Sequence, residues 1–98
     1  MLDLYYKKNT EGKPVSYFLL MTTRTNKFDS NDIQGHYDHL EKLKKEELLE
    51  MYGPFSDATG GAYLIKAASL DEAIKIGNSD PLIQNGSSTL TIKEWLLR

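Results

Sequence analysis

The sequence contains no cysteine, and this absence removes several kinds of chemistry at once. A chain without thiols has no disulfide framework, no cysteine nucleophile and no cysteine-ligated metal centre, which fits a reducing compartment. Only two histidines are present, and two histidines alone make a poor metal site. We therefore expect neither a metal ion nor another cofactor.

Long hydrophobic runs are missing as well. The longest one covers residues 17–21, far short of the roughly 20 residues that span a bilayer. The first 14 residues lack the basic start and apolar centre of a signal peptide. These features predict a soluble cytoplasmic protein that makes no contact with a membrane.

An excess of charge of one sign is also absent. The chain carries 12 basic and 14 acidic side chains, which are interspersed and sum to a net charge of -2. This pattern gives no electrostatic footprint for nucleic acid. At 98 residues the chain is a single domain near the small end of what buries its own core. A second copy would add buried surface, so we expect a dimer.

The hydrophobic pattern predicts a β-α-β-β-α-β order of elements. The sequence indicates strands at 15–23, 48–52, 62–67 and 89–96. The evidence is either a dense run of apolar, aromatic and β-branched residues or side chains that alternate between two faces. Capping residues predict helices that begin near Asp32 and at Ser69, while Asp80-Pro81 breaks the chain before the last strand. This order predicts an α+β, ferredoxin-like sandwich with one antiparallel sheet and two helices on one face.

Residues 1–14 form an N-terminal extension to this domain, which covers 15–98. Within the extension, residues 2–6 are either an added edge strand or a mobile tail. We prefer the edge strand, because this stretch is too apolar for a wholly solvated segment.

Chain direction brings four separated segments to one end of the sheet. They contain Arg24, His36, Asp57 and Asp80. On a helical wheel, His36 lies near the apolar stripe and His39 lies on its flank, so only His36 is expected to point toward the sheet. An aspartate within reach would fix the tautomer of His36 and raise its basicity, and Asp57 is our candidate.

The other face of the sheet is left uncovered by the helices. It is expected to expose apolar residues such as Leu49 and Met51 or their strand neighbours. An exposed apolar patch of this size usually marks an interface. A twofold homodimer packed sheet to sheet is the simplest arrangement that covers it.

The order of motifs also resembles a known family. The chain contains His36-x2-His39-Leu40-x2-Leu43, Gly53-Pro54-Phe55-x-Asp57-x2-Gly60-Gly61, Ser69-Leu70-Asp71-Glu72-Ala73, Asp80-Pro81 and a last strand with Trp95. Over residues 15–96 this pattern is similar to the YciI-like (YCII-related) family. The resemblance implies a dimeric α+β barrel whose active-site histidine and aspartate fall on His36 and Asp57. Where many relatives have a glycine at the end of the first helix, this chain has Glu47.

Two classes of function fit these residues. In the first, His36 and Asp57 transfer protons on a small anionic substrate by isomerisation, elimination or hydrolysis, without a cofactor. Candidate substrate contacts are Arg24, Phe55, Gly60 and Asp80. In the second, the protein is a non-catalytic dimer that binds a metabolite in the same cleft or serves as an accessory subunit. Haem binding, known in other dimeric α+β barrels, is a third and weaker hypothesis.

Several of these residues also have purely structural interpretations. Asp57 is equally suited to bind its own backbone in the turn, and the adjacent glycines are first of all turn residues. Arg24 is equally suited to be a solvated charge. Asp80 before Pro81 most simply fixes the start of the last loop.

Overall fold

The elements of the fold follow the order expected from the sequence, with two short additions. The structure is a computed structural model, and it describes residues 7–8 and 14–98. In chain order the elements are β1 (Lys7–Lys8), β2 (Pro14–Arg24), α1 (Asp32–Lys45), β3 (Leu49–Pro54), β4 (Gly60–Ala67), α2 (Leu70–Asn78), α3 (Pro81–Gln84) and β5 (Ser88–Trp95).

The long strand β2 is the centre of an antiparallel sheet. It pairs with β4 along one side and with β5 along the other, and β3 adds to the far side of β4. The order β3-β4-β2-β5 is that of a ferredoxin-like sandwich, so the predicted α+β fold is confirmed. The added edge strand expected at residues 2–6 lies outside the described residues. In the short strand β1, Lys7 pairs with Val15 and Lys8 pairs with Pro14 of β2.

The hydrophobic core lies between one face of this sheet and the helices. Alternate residues of β2 and β4 point into it, and helix α1 contributes Leu40 and Leu43. Ala73 of α2 is fully buried against the same cluster. The core therefore places α1 directly over the end of the sheet where the site residues were expected.

Helix α1 ends in a left-handed residue that is not glycine. The backbone N–H of Leu48 donates to the carbonyl of Leu43 at 2.9 Å, and that of Glu47 donates to Lys44 at 3.0 Å. These two bonds form a Schellman motif, which usually places glycine at the left-handed position. Glu47 occupies that position with a φ of 61°. The helix thus ends where the family pattern has its glycine, although the residue differs.

The uncovered face differs from the expected one because β3 contains a β-bulge. Leu49 pairs with Ile65 whereas Met51 pairs with Leu64, so β3 carries one extra residue between these pairs. Because a bulge shifts the alternation by one residue, Leu49 packs against the core and Met51 faces away from the helices. The expectation that both residues belong to the uncovered face was wrong for Leu49.

The segment after α2 contains a helix that the sequence did not predict. Residues 81–84 form the short helix α3 instead of a loop. The carboxylate of Asp80 accepts a hydrogen bond from the N–H of Leu82 at 3.0 Å, which caps the helix. Pro81 stands at the start of α3, where the missing N–H costs nothing.

Candidate active site

A cavity of about 80 Å³ opens between α1 and the helix-covered face of the sheet. It lies where β2 ends and β5 begins. Its lining includes Thr22, Arg24, His36, Tyr37, Tyr63 and Ser88. A water molecule needs roughly 10–15 Å³ measured in this way, so the cavity suits a small organic molecule or several waters.

His36 is held in this cavity by a buried carboxylate. Its Nδ1 lies 2.7 Å from Oδ2 of Asp80, and the Asp80 side chain is fully buried. The His36 side chain is 17% exposed and lines the cavity. When Nδ1–H donates to a carboxylate, the neutral imidazole keeps its lone pair on Nε2. His36 can therefore accept a proton at Nε2 while Asp80 holds the ring.

Asp80 is buried without being left unsatisfied. Its Oδ2 also accepts a hydrogen bond from the Tyr63 hydroxyl at 3.2 Å, and its Oδ1 accepts the bond from Leu82 N. Burial raises the pKa of Tyr63, and the negative charge of Asp80 raises it further. The phenol therefore stays protonated and remains a donor to Asp80. His36, Tyr63 and the N–H of Leu82 together satisfy the hydrogen bonds of the buried carboxylate.

A close approach of α1 and α3 brings the two residues together. A Cβ built on Gly35 would lie only 3.0 Å from Cγ of Pro81. Glycine before His36 thus lets α3 pack tightly against α1, and Asp80 immediately precedes α3. The pairing depends on this contact between helices and on the capping of α3.

The carboxylate that contacts His36 is not the one expected from the sequence. Asp57 lies exposed at the tip of the β3–β4 hairpin, and its Oδ1 accepts bonds from the backbone N–H and the hydroxyl of Thr59 at 3.0 and 2.7 Å. These bonds lower the pKa of Asp57. The expected pairing of His36 with Asp57 is corrected to a pairing with Asp80. The physical reason is that Asp57 satisfies its own turn, while Asp80 is carried inward by α3.

The four expected substrate contacts fall into different surroundings. Arg24 and Gly60 line the cavity, whereas Phe55 is 42% exposed on the hairpin and is not part of the lining. Asp80 is fully buried behind His36, so its position suits orientation of the imidazole instead of contact with a ligand. The Arg24 guanidinium lies 4.1 Å from the centre of the Phe28 ring.

His39 differs from its expected place on the outer flank of α1. Its ring meets Tyr63 edge-on with centres 6.1 Å apart, and its Nε2 is buried without a hydrogen-bond partner among the described residues. Both histidines therefore face Tyr63, and the expectation that only His36 points toward the sheet was wrong. Burial lowers the pKa of His39, which favours its neutral form.

A polar cluster fixes the loop that leads into β5. The Ser87 hydroxyl donates to Oδ2 of Asp32 at the start of α1 and accepts a bond from the Asp29 N–H at 3.1 Å. Asn85 donates to the other oxygen of Asp32 at 2.8 Å. Hydrogen bonds from Ser87 and Asn85 lower the pKa of Asp32. This cluster ties the start of β5 to the helix that carries His36.

Neither a metal cluster nor a membrane helix is found in the described part of the chain. No group of three or more histidine, aspartate or glutamate side chains is arranged there to hold a metal ion. Likewise, none of the helices in residues 7–8 and 14–98 combines the length and apolar character needed to cross a bilayer.

Comparison with known families decides the relationship of the chain. A family model described as the YCII-related domain matches residues 15–96. The chain belongs to this family. The "Uncharacterized protein YjpA" of Bacillus subtilis (strain 168) is 57% identical over 81 residues, which cover 83% of this chain and 95% of YjpA.

A solved structure has the same fold as this YCII-related protein. It is 5-chloro-2-hydroxyhydroquinone dehydrochlorinase (TftG) from Burkholderia phenoliruptrix AC1100, in complex with 2,5-dihydroxybenzoquinone. The TM-score is 0.68 at 22% sequence identity, and the match covers 81% of this chain and 92% of TftG. At this identity the comparison supports the fold.

Three polar residues of the YCII-related cavity were missed by sequence reasoning. Thr22 and Tyr63 were expected in strands without a role in the site, and Ser88 was expected in the loop before the last strand, whereas it is the first residue of β5. Strand alternation could have found them, because all three share the helix-covered face with Leu20.

Proposed function

We propose that this YCII-related protein is an enzyme that acts on a small molecule by proton transfer through His36. The observation that carries the proposal is the 2.7 Å contact between Nδ1 of His36 and the buried carboxylate of Asp80. In this arrangement His36 is the general base or acid, and Asp80 is a positioning residue that acts through it. The role first assigned to Asp57 passes to Asp80.

The chemistry of the pair supports this role. Nε2 makes no hydrogen bond within residues 7–8 and 14–98, and the ring lines the cavity. Once Nε2 takes a proton, the imidazolium lies directly beside the carboxylate of Asp80, which stabilises the new positive charge. The proton can then return to another atom of the substrate. Isomerisation, elimination and hydrolysis through an activated water all require such a transfer.

The charge distribution of the lining favours an anionic substrate. Arg24 lines the cavity, and no aspartate or glutamate does so among the described residues. A guanidinium offers several donors in one plane, which suits a carboxylate or another oxyanion. Arg24 would bind the anionic group and place the reacting carbon near His36.

The name of TftG, a dehydrochlorinase, describes an elimination and therefore supports this reaction type as the first to assay. Its ligand, 2,5-dihydroxybenzoquinone, is a small ring compound of a kind to include among the compounds tested.

We also propose that the working form is a homodimer joined through the uncovered sheet face.

The test begins with a thermal-shift screen of small organic anions and hydroxylated ring compounds, in which turnover of every hit is followed by mass spectrometry. We expect at least one hit to be converted by the wild type and by Asp57→Asn. His36→Asn should bind the same compound and convert it roughly 10²–10⁴-fold more slowly. Binding without conversion of any hit across a range of pH would contradict the proposal and favour a metabolite-binding protein. Equal turnover by His36→Asn would also contradict it.

A further inference from the structure

Ser88 has an unused hydroxyl in the wall of the cavity. The residue is 4% exposed and lines the cavity, yet its Oγ is buried without a hydrogen-bond partner among the described residues. Buried hydroxyl groups in folded proteins almost always have a partner. Because Ser88 lines the cavity, a group that enters the cavity can supply the missing partner of this hydroxyl.

Strand register places this hydroxyl beside Arg24. The two residues are direct cross-strand partners of β2 and β5, and the next pair along is Thr22 with Leu90. Side chains of direct partners lie on the same face, with Cβ atoms about 5 Å apart. Arg24 and Ser88 therefore project from one corner of the sheet on the face covered by α1.

The neighbouring hydroxyl of Thr22 is already in use. It accepts a bond from the N–H of Gly61 at 3.2 Å and lies 3.4 Å from the Gly61 carbonyl, to which it donates. At this corner, Ser88 therefore carries the hydroxyl that has no partner among the described residues, and Arg24 carries the positive charge. One neutral donor beside one cation matches a group that only accepts hydrogen bonds and carries negative charge.

We infer that Arg24 and Ser88 together form a carboxylate-binding subsite, so that the substrate is a small organic acid. The inference rests on the proposed function, because it names the substrate class of the same cavity. Arg24 supplies the charge, and the Ser88 hydroxyl donates to a carboxylate oxygen. This anchors the acid at the sheet and leaves its remaining carbons toward His36 on α1.

The experiment measures binding of acetate and benzoate by NMR titration, with acetamide and benzamide as their uncharged counterparts. We expect both acids to bind more tightly than the amides and to perturb resonances around Ser88. Ser88→Ala should weaken binding of the acids about tenfold, since it removes one hydrogen bond to a charged group. It should leave the weak binding of the amides nearly unchanged.

Ser87→Ala is the matched control, because Ser87 is equally buried but its hydroxyl is satisfied by Asp32 and Asp29. This control should lower the melting temperature and leave the affinity for acetate within twofold. Ser88→Ala should do the opposite: it removes an unpartnered hydroxyl, so the melting temperature of the free protein should stay the same or rise.

The inference is overturned if neither acid binds the wild type, if the amides bind equally well, or if Ser88→Ala binds the acids as tightly as the wild type. Each of these results is independent of turnover. If no compound is converted but acid binding still depends on Ser88, the proposed catalysis fails while the subsite stands. His36→Asn should retain acid binding, which separates the subsite from the proton-transfer group.

Discussion

Asp80 uses its two carboxylate oxygens for different purposes. Oδ1 accepts the bond that caps α3, while Oδ2 accepts bonds from His36 and Tyr63. The bond at Oδ1 stabilises the start of α3, and the two bonds at Oδ2 connect α3 to the cavity. Replacing only the charge of Asp80 should therefore separate its contribution to folding from its effect on His36.

Asp80→Asn should change the tautomer of His36. The amide oxygen can keep the cap on Leu82, because asparagine is also a good N-cap residue. The amide nitrogen then faces Nδ1 of His36 as a donor, which drives the imidazole proton to Nε2. Long-range ¹H–¹⁵N spectra should show this switch, and turnover should fall roughly 10²–10⁴-fold because Nε2 no longer accepts a proton.

The control for this change is Asp57→Asn, which alters an exposed carboxylate bound to Thr59. It should leave the His36 tautomer as in the wild type. An Asp80→Asn spectrum in which Nδ1 stays protonated would show that the carboxylate does not set the tautomer.

His39 should make the protein less stable as the pH falls. Burial lowers its pKa below the usual 6.5, the charges of His36 and Lys42 lower it further, and Asp80 and Glu46 oppose the shift. As the pH falls through about 6.5, the unfolded chain gains a proton at His39 that the folded chain does not bind. The free energy of unfolding therefore decreases in this range.

His39→Leu removes this titration and should flatten the dependence of stability on pH between about 7 and 5. Urea unfolding at several pH values measures it, and the other titrating groups cancel when the two proteins are compared. Parallel curves for the wild type and the variant would rule out a lowered pKa at His39.

At the scale of elements, the packing of α3 on α1 controls the geometry of the site. Gly35→Ala places a methyl group about 3.0 Å from the Pro81 ring, so the two helices must separate by a few tenths of an ångström. Alanine favours the helix itself by about 1 kcal/mol, so stability should change little. Turnover should fall several-fold, because the contact between His36 and Asp80 lengthens.

The double variant Gly35→Ala/Pro81→Ala tests the cause of that loss, because it removes Cγ of Pro81, the closer of the two ring atoms that the new methyl group meets, and leaves only the Cβ at 3.2 Å. Turnover and the Nδ1 proton resonance should return toward those of Pro81→Ala alone. Additive losses in the double variant would show that the two positions do not interact.

The short helix α3 also shows what the sequence could and could not predict. The dense apolar, aromatic and β-branched residues of β2 and the capping box at Ser69 predicted β2 and α2 to within two residues of their observed ends. Chain direction correctly brought His36 and Asp80 to one end of the sheet. It could not choose between Asp57 and Asp80, since that choice depends on a four-residue helix and on the absence of a Cβ at Gly35. The bulge in β3 was missed because a single inserted residue leaves no distinct pattern.

At the scale of the whole molecule, the uncovered sheet face presents apolar side chains away from the helices. Met51 is 63% exposed, and Trp95 is 46% exposed at the opposite end of the sheet from the cavity. Met51 lies on one edge strand and Trp95 on the other, and their partners Leu64 and Tyr17 on the same face are buried. Large apolar side chains exposed on one face of a small protein favour an interface. This supports the proposed homodimer packed sheet to sheet.

Met51→Glu should weaken this dimer about tenfold or more, because association would bury an unpaired charge. Sedimentation equilibrium measures the effect. The matched control is Leu70→Glu, which changes a side chain of similar size that is 50% exposed on α2, on the other side of the sheet. A wild-type protein that is monomeric at every concentration would contradict the dimer, as would equal effects of the two substitutions.

The double use of Asp80 has a consequence for how relatives of this protein diverge. A lineage that no longer needs the reaction is still under selection to keep α3 capped, and so it retains the aspartate. His36 caps nothing, so a residue that still donates a hydrogen bond to the buried Asp80 can replace it. Among descendants, loss of activity should be recorded at position 36 while position 80 stays unchanged.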